Sequence, residues 1–155
     1  METTSTIGVL VLKRDQVLLV KHTEASRNIT GIYGLPAGHV EENETEAEAA
    51  VRELHEETGL RTDVKDVVQL PTTYLGTLQR KNKSGGYTPK QYSWKVFRVL
   101  RFTGELTPSV ETIPEWVNVV DLSKHQLLPN VSNAVAEALA QGFENHPMSK
   151  QEGVA

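Results

Sequence analysis

Two short apolar runs open the chain, Ile7–Lys13 and Gln16–Lys21, rich in valine and leucine and separated by Arg14-Asp15. Runs of this length around a polar dipeptide predict a β-hairpin. The polar stretch His22–Thr30 reads as a loop. Ile32–Val40 is short, extended and punctuated by glycine, and it delivers the chain to a first helix. Thr62–Leu78 reads as one long strand or two, interrupted near Pro71. Gln79–Lys90 is hydrophilic and holds Gly85-Gly86 and Pro89, the signature of a connection. Gln91–Thr103 alternates as a strand does, Val117–Val120 reads as a brief one, and the alanine-rich Val131–Gln141 reads as a second helix ending at Gly142. Strands bracketed by two helices predict a three-layer α/β/α sandwich around a mixed sheet, one domain over residues 1–142. Residues 143–155 read as a flexible tail, frayed from His146 onward.

The first helix is legible in detail. Thr45 with Glu48 three positions on forms a capping box, and Gly59 suits the left-handed residue that closes a helix. At about 100° per residue, Ala47, Ala50, Val51 and Leu54 share an apolar stripe. Glu53, Glu56 and Glu57, at i, i+3 and i+4, occupy a separate arc beside it. Residues 41–57 hold eight glutamates and one arginine, a charge of −7 against −4 for the whole chain, so the rest carries +3. A run of charge is most often a solvated face. Here the acids gather on one side with little lysine to balance them, and carboxylates that close repel unless a cation lies between them. A hard divalent ion with oxygen ligands, Mg²⁺ or Mn²⁺, answers that requirement. Arg52 is placed to pair with Glu56 or to reach back to Glu44.

The spacing Gly38, five residues, Glu44, seven residues, Arg52-Glu53-Leu54, one residue, Glu56-Glu57, one residue, Gly59-Leu60 resembles the Nudix box of the MutT-like hydrolases, with every fixed position matched. Tyr33-Gly34-Leu35-Pro36-Ala37-Gly38 resembles the family's approach to that box, with Ala37 where glycine is commoner. The resemblance is sharp over residues 32–60 and looser to residue 142. It implies the Nudix sandwich fold and hydrolysis of a pyrophosphate bond in a nucleoside diphosphate linked to another group. It further implies that Glu53, Glu56, Glu57 and the carbonyl of Gly38 hold Mg²⁺, with Mn²⁺ as a substitute. Arg52 would orient the glutamates and Glu44 would support Arg52. The family's base often comes from outside the box; Glu111 and Glu115, near Pro114, are the candidates, and Glu111 is favoured. For substrate contacts, Tyr33 could stack on a base, and Arg27 or Lys21 could touch phosphates; simple packing or solvent exposure is the competing reading for all three.

The remaining composition narrows the classes. The chain has 155 residues and no cysteine, which excludes disulfides, thiolate zinc sites and the cysteine-dependent isopentenyl diphosphate isomerases that share the fold. His55-Glu56 begins a His-Glu-x-x-His zinc motif, but position 59 is glycine, so the motif fails. The start of the chain reads as no signal peptide, and no stretch approaches a membrane span. A cytoplasmic enzyme acting on a small nucleotide such as a nucleoside triphosphate is therefore expected, and homodimers are common among similar proteins. Arg80, Lys81, Lys83 and Lys90 surround a turn, where they could gather substrate phosphates or RNA backbone but read first as solvated charge, and nucleic acid is not the expected partner. Trp94 reads as core. The alternatives carried forward are removal of pyrophosphate from an RNA 5′ end and a non-catalytic domain that senses a nucleotide or ADP-ribose derivative.

Overall fold

The computed structural model describes residues 2–142; the expected tail, 143–155, lies outside the described residues. The element order is β1 (Thr3–Lys13), β2 (Gln16–His22), β3 (Tyr33–Gly34), β4 (Ala37–Gly38), α1 (Glu46–Thr58), β5 (Val67–Lys81), β6 (Tyr87–Val99), β7 (Thr112–Asn118) and α2 (Val131–Ala140). Short 3-10 turns precede β5 (Val64–Asp66) and follow β7 (Val119–Lys124). The principal sheet order is β3-β2-β1-β6-β5, with β4 paired to β1 and β7 to β2. β1 and β6 run parallel and the other pairs antiparallel, so the sheet is mixed.

β1 shows why two helices are needed. Thr6 through Leu12 are all buried, a continuous run that has no solvent face. Strand residues alternate sides. Ile7, Val9 and Val11 pack with Ala49, Ala50 and Leu54 of α1, whereas Leu10 and Leu12 pack with Val131, Ala134, Val135 and Ala138 of α2. Each helix closes one face, and the α/β/α sandwich follows.

Three segments depart from the pattern read in the sequence. Residues 79–90 are not one long connection: β5 continues to Lys81 and β6 begins at Tyr87, so only residues 82–86 turn. The hairpin extends past β1, whose pairing with β6 begins at Thr3 opposite Gln91. Beyond that point Leu78 is buried and Arg80 half-buried, while residues 82–90 are exposed and polar side chains suit them. Pro89 pairs with Gln79 where β6 has β5 as its neighbour, which spares it a second ladder. β5 is a single strand from Val67 with its register broken between Gln69 and Thr73, around Pro71. β7 starts at Thr112 and ends at Asn118, so Glu115 lies inside a strand and Glu111 immediately before it. Among the described residues no helix is long and apolar enough to cross a membrane.

Candidate active site

α1 begins as its sequence requires. The Thr45 side chain accepts from the Glu48 backbone N–H while the Glu48 carboxylate accepts from Thr45 N–H, at 3.1 and 2.8 Å. Gly59 closes the helix at φ 86°, where a Cβ would meet the Glu105 carbonyl at 2.7 Å. Between these fixed ends the helix is a rigid mount. Its buried set is Ala49, Ala50, Glu53, Leu54 and Thr58, so the inward face is rotated from the stripe read in the sequence and takes Glu53 with it. Glu53 is 8% exposed, Glu57 is partly buried and Glu56 is exposed.

Arg52 organises these acids. Its Nε and Nη2 donate to the two oxygens of Glu44 at 2.8 and 3.0 Å, a bidentate pair. Nη1 donates to Glu53 at 2.8 Å and to Glu56 at 3.2 Å, and Nη2 also reaches the His39 carbonyl at 2.8 Å. Glu44 in turn accepts from Glu41 N–H at 2.9 Å. Both alternatives for Arg52 are thus occupied at once. The Glu44 carboxyl is held below its usual range by Arg52, and Arg52 is raised further above its own by Glu44.

One guanidinium does not balance the group. Burial pushes Glu53 up to about 7 against the pull of Arg52. Burial, then the neighbouring Glu53 charge, pushes Glu57 up to about 8, with Ala37 N–H donating to it at 3.1 Å as the opposing contact. Gly38 lies against Glu53 so closely that a Cβ there would collide with the carboxylate. Its carbonyl accepts from Thr6 Oγ1 at 2.5 Å, leaving one lone pair free. Among the described residues no three acidic or histidine side chains converge tightly enough to form a ready metal cage. A buried and a partly buried carboxylate, both penalised in their charged form, a third beside them and a backbone carbonyl nonetheless make a hard oxygen donor set. Mg²⁺ is characteristically held by one or two carboxylates with waters and substrate phosphates, which this arrangement fits.

The acids form one end of a cleft of about 440 Å³. Glu111 lines it with Glu53, Glu56 and Glu57, and its charge is felt by both Glu57 and Arg80. Arg27, Asn28, Arg80, Tyr92 and Trp94 line the same cleft. Of the residues read as substrate contacts, Arg27 lies in the cleft. Tyr33 lies outside its lining, with its hydroxyl donating to Glu115 at 3.2 Å and its ring edge-on to His125 at 4.7 Å. Lys21 is exposed on β2 in register with Tyr33, also outside the lining.

Sequence reasoning passed over Asn28 and Tyr92, read Arg80 as solvated turn charge before a phosphate contact, and favoured the core for Trp94. Trp94 packs against that core but also faces the cleft, stacked on Tyr92 at 5.9 Å. Arg80 leaves the solvated turn to which it was assigned: it is half-buried in β5, and Nη1 donates to Asn28 Oδ1 at 2.9 Å. Lys81 is likewise committed, its ammonium donating to Thr30 Oγ1 at 2.8 Å and the Glu24 carbonyl at 3.0 Å. The available signal was that Arg80 shares a strand face with Leu78 two positions earlier, which the polar composition concealed.

An α/β sandwich whose first helix aims carboxylates into an open, oppositely charged cleft defines a class of enzyme built around anionic substrates. Comparison with known proteins is specific. The NUDIX domain model matches residues 2–139. An RNA pyrophosphohydrolase of Erythrobacter litoralis is 34% identical over 148 residues, covering 89% of this chain and 88% of that protein. An RNA pyrophosphohydrolase of Rhizobium meliloti is 31% identical over 104 residues, 59% of this chain and 60% of that one. The crystal structure of a MutT NUDIX hydrolase from Burkholderia pseudomallei superposes with a TM-score of 0.66 at 21% identity, over 88% of this chain and 98% of that one. The chain belongs to the NUDIX family.

Proposed function

We propose that this protein hydrolyses the pyrophosphate bond of a small nucleotide, a nucleoside triphosphate or a close relative, with Mg²⁺ as the working ion and Mn²⁺ as a substitute. The observation that carries the reading is the cleft itself: the helix carboxylates, two guanidinium groups and a stacked aromatic pair line one cavity, within a volume suited to a nucleotide.

Glu53, Glu56, Glu57 and the Gly38 carbonyl would hold the ion, which supplies charge neutralisation at the phosphates and makes a coordinated water easier to deprotonate. Arg52 fixes the rotamers of Glu53 and Glu56, and Glu44 fixes Arg52. Such preorganisation matters because phosphoryl transfer depends on positioning and electrostatics more than on covalent chemistry. Glu111 acts as base. Its carboxylate lines the cleft and makes no hydrogen bond or ion pair among the described residues, while its own carbonyl is tied to Thr23 N–H at 2.9 Å. The water oxygen bonds to one phosphorus as the bridging P–O bond breaks. The proton passes to Glu111, and the leaving phosphate departs with the bridging oxygen.

A second reading, release of pyrophosphate from an RNA 5′ end, is supported by the two relatives of that name and by the basic β5–β6 hairpin. Phosphate and pyrophosphate release with Mg²⁺, measured over nucleoside triphosphates, nucleotide sugars, dinucleoside polyphosphates and triphosphorylated RNA, tests both. A nucleoside triphosphate as the best substrate supports the first reading and RNA the second. No turnover of any member would overturn both and leave a sensing domain.

A further inference from the structure

Arg80 is a cation without a counter-ion. Burial lowers its pKa, so the charged guanidinium is held at some cost. Yet no carboxylate lies within ion-pairing distance among the described residues, and a single hydrogen bond, to Asn28, uses one of its five donors. The guanidinium lies over the Tyr92 ring at 5.8 Å, and Tyr92 stacks on Trp94, so the group rests on an aromatic shelf facing the cleft.

Its position is engineered from behind by a buried polar relay. Asn28 is 8% exposed and presents its carbonyl oxygen to Arg80 and its amide nitrogen to His22 Nε2 at 3.4 Å. His22, also 8% exposed, is pushed down to about 4, first by burial and then by Arg80 and Lys81, so it is neutral and Nε2 accepts. Its Nδ1 then donates to Ser26 Oγ at 2.7 Å, and that oxygen accepts from Asn28 N–H at 3.1 Å. The orientation of Asn28 is determined from both ends. The loop bearing this relay is clamped to β5, since Lys81 N–H donates to the Arg27 carbonyl at 2.9 Å. Three residues of a polar, buried network thus aim one guanidinium into the cleft, with exposed Arg27 beside it.

We propose that Arg80 is an anion-binding residue that receives a phosphate of the substrate lying outside the pyrophosphate held at the carboxylate end, and that Asn28 is its positioning residue. The substrate class this favours is a 5′-triphosphate rather than a diphosphate capped by a neutral sugar. The inference rests on the reading of the cleft as a pyrophosphatase site and specifies which substrates that site prefers.

Steady-state kinetics with a nucleoside triphosphate and a nucleotide sugar of the same base test it, using R80Q, R80K and N28A beside the native protein. Loss of a charge-assisted hydrogen bond predicts that R80Q raises KM for the triphosphate on the order of 10- to 100-fold, with kcat little changed. KM for the nucleotide sugar stays within about twofold of native. R80K recovers part of the loss, N28A shows a smaller rise, and N28A adds nothing in the R80Q background, which a purely structural role would not produce. Equal losses on both substrates, or an unchanged triphosphate KM, would overturn the proposal. Calorimetric titration with inorganic tripolyphosphate in Mg²⁺ separates this failure from that of the catalytic reading. Should the native protein turn over nothing, binding that R80Q abolishes still supports the subsite, and binding that R80Q leaves intact refutes it.

Discussion

Glu53, Glu56 and Glu57 stand within one turn of one another, yet each meets a different environment. Glu53 is buried against Gly38 and paired with Arg52, Glu56 is exposed, and Glu57 is partly buried with Ala37 N–H as its hydrogen-bond donor. Replacing Glu57 by Gln keeps the acceptor for Ala37 and removes the charge. We expect Glu57→Gln to fold normally and to lose about a hundredfold or more in kcat, since a metal contact supplies several kcal/mol of transition-state stabilisation. Native-like turnover by Glu57→Gln would remove that residue from the ion site. His22 sets a pH limit on stability. Its folded pKa of about 4 lies below the unfolded value near 6.5, so its contribution is complete above about pH 6.5 and fades as pH falls towards 4. The unfolded chain binds the proton that the folded one refuses. Up to about 3 kcal/mol is at stake, and denaturant melts of native protein and His22→Gln between pH 4 and 7 should show the native slope flattened in the variant. The spacing of the acids was plain in the sequence because helical periodicity links near neighbours. The burial of Glu53 was not, since it depends on Gly38 crossing over from the sheet side.

At the scale of elements, α1 was the most readable because its ends are encoded locally. Thr45, Glu48 and Gly59 act within a few residues of the helix they bound. Thr45→Ala should cost about 1 kcal/mol. Gly59→Ala should cost about 2 kcal/mol or more, from the left-handed backbone together with the Glu105 carbonyl in the way. Chemical denaturation of both variants checks the ranking, and equal midpoints for native and Gly59→Ala would refute it. The β5–β6 hairpin was misread because exposed strands carry no apolar alternation, and glycine and proline in residues 85–89 mimic a long loop. β7 was foreshortened for a related reason: Pro114 and the flanking acids mask a strand held by β2 through Gln16–His22. The far wall of the cleft was illegible in principle. Asn28 and Arg80 are 52 positions apart, and only the pairing of the sheet brings the β5 tip over the loop after β2.

Across the whole molecule, charge is sorted rather than spread. The acidic helix faces one end of the cleft and Arg27 and Arg80 face the other, with Glu111 between. On the proposed function, a phosphorylated substrate would span that gradient only with a cation neutralising the acidic end. Ion binding therefore couples to stability and to pH. Because Glu53 and Glu57 are raised to about 7 and 8, the folded protein holds protons there that the unfolded chain has released. Their contribution to metal-free stability is complete below about pH 4.5 and is lost as pH rises towards 8. An Mg²⁺ ion held there as proposed would compete with those protons, so the rise in Tm on adding Mg²⁺ should grow from pH 6 to pH 8. A shift independent of pH would place the ion elsewhere.

The most direct measurement is a crystal structure of the protein with Mg²⁺ and a non-hydrolysable nucleoside triphosphate analogue. The account predicts an ion bound by Glu53, Glu56 and Glu57 against the analogue's bridging position, with Arg80 on a phosphate outside it. Those carboxylates turned away from the ion, or an analogue bound outside this cleft, would contradict it.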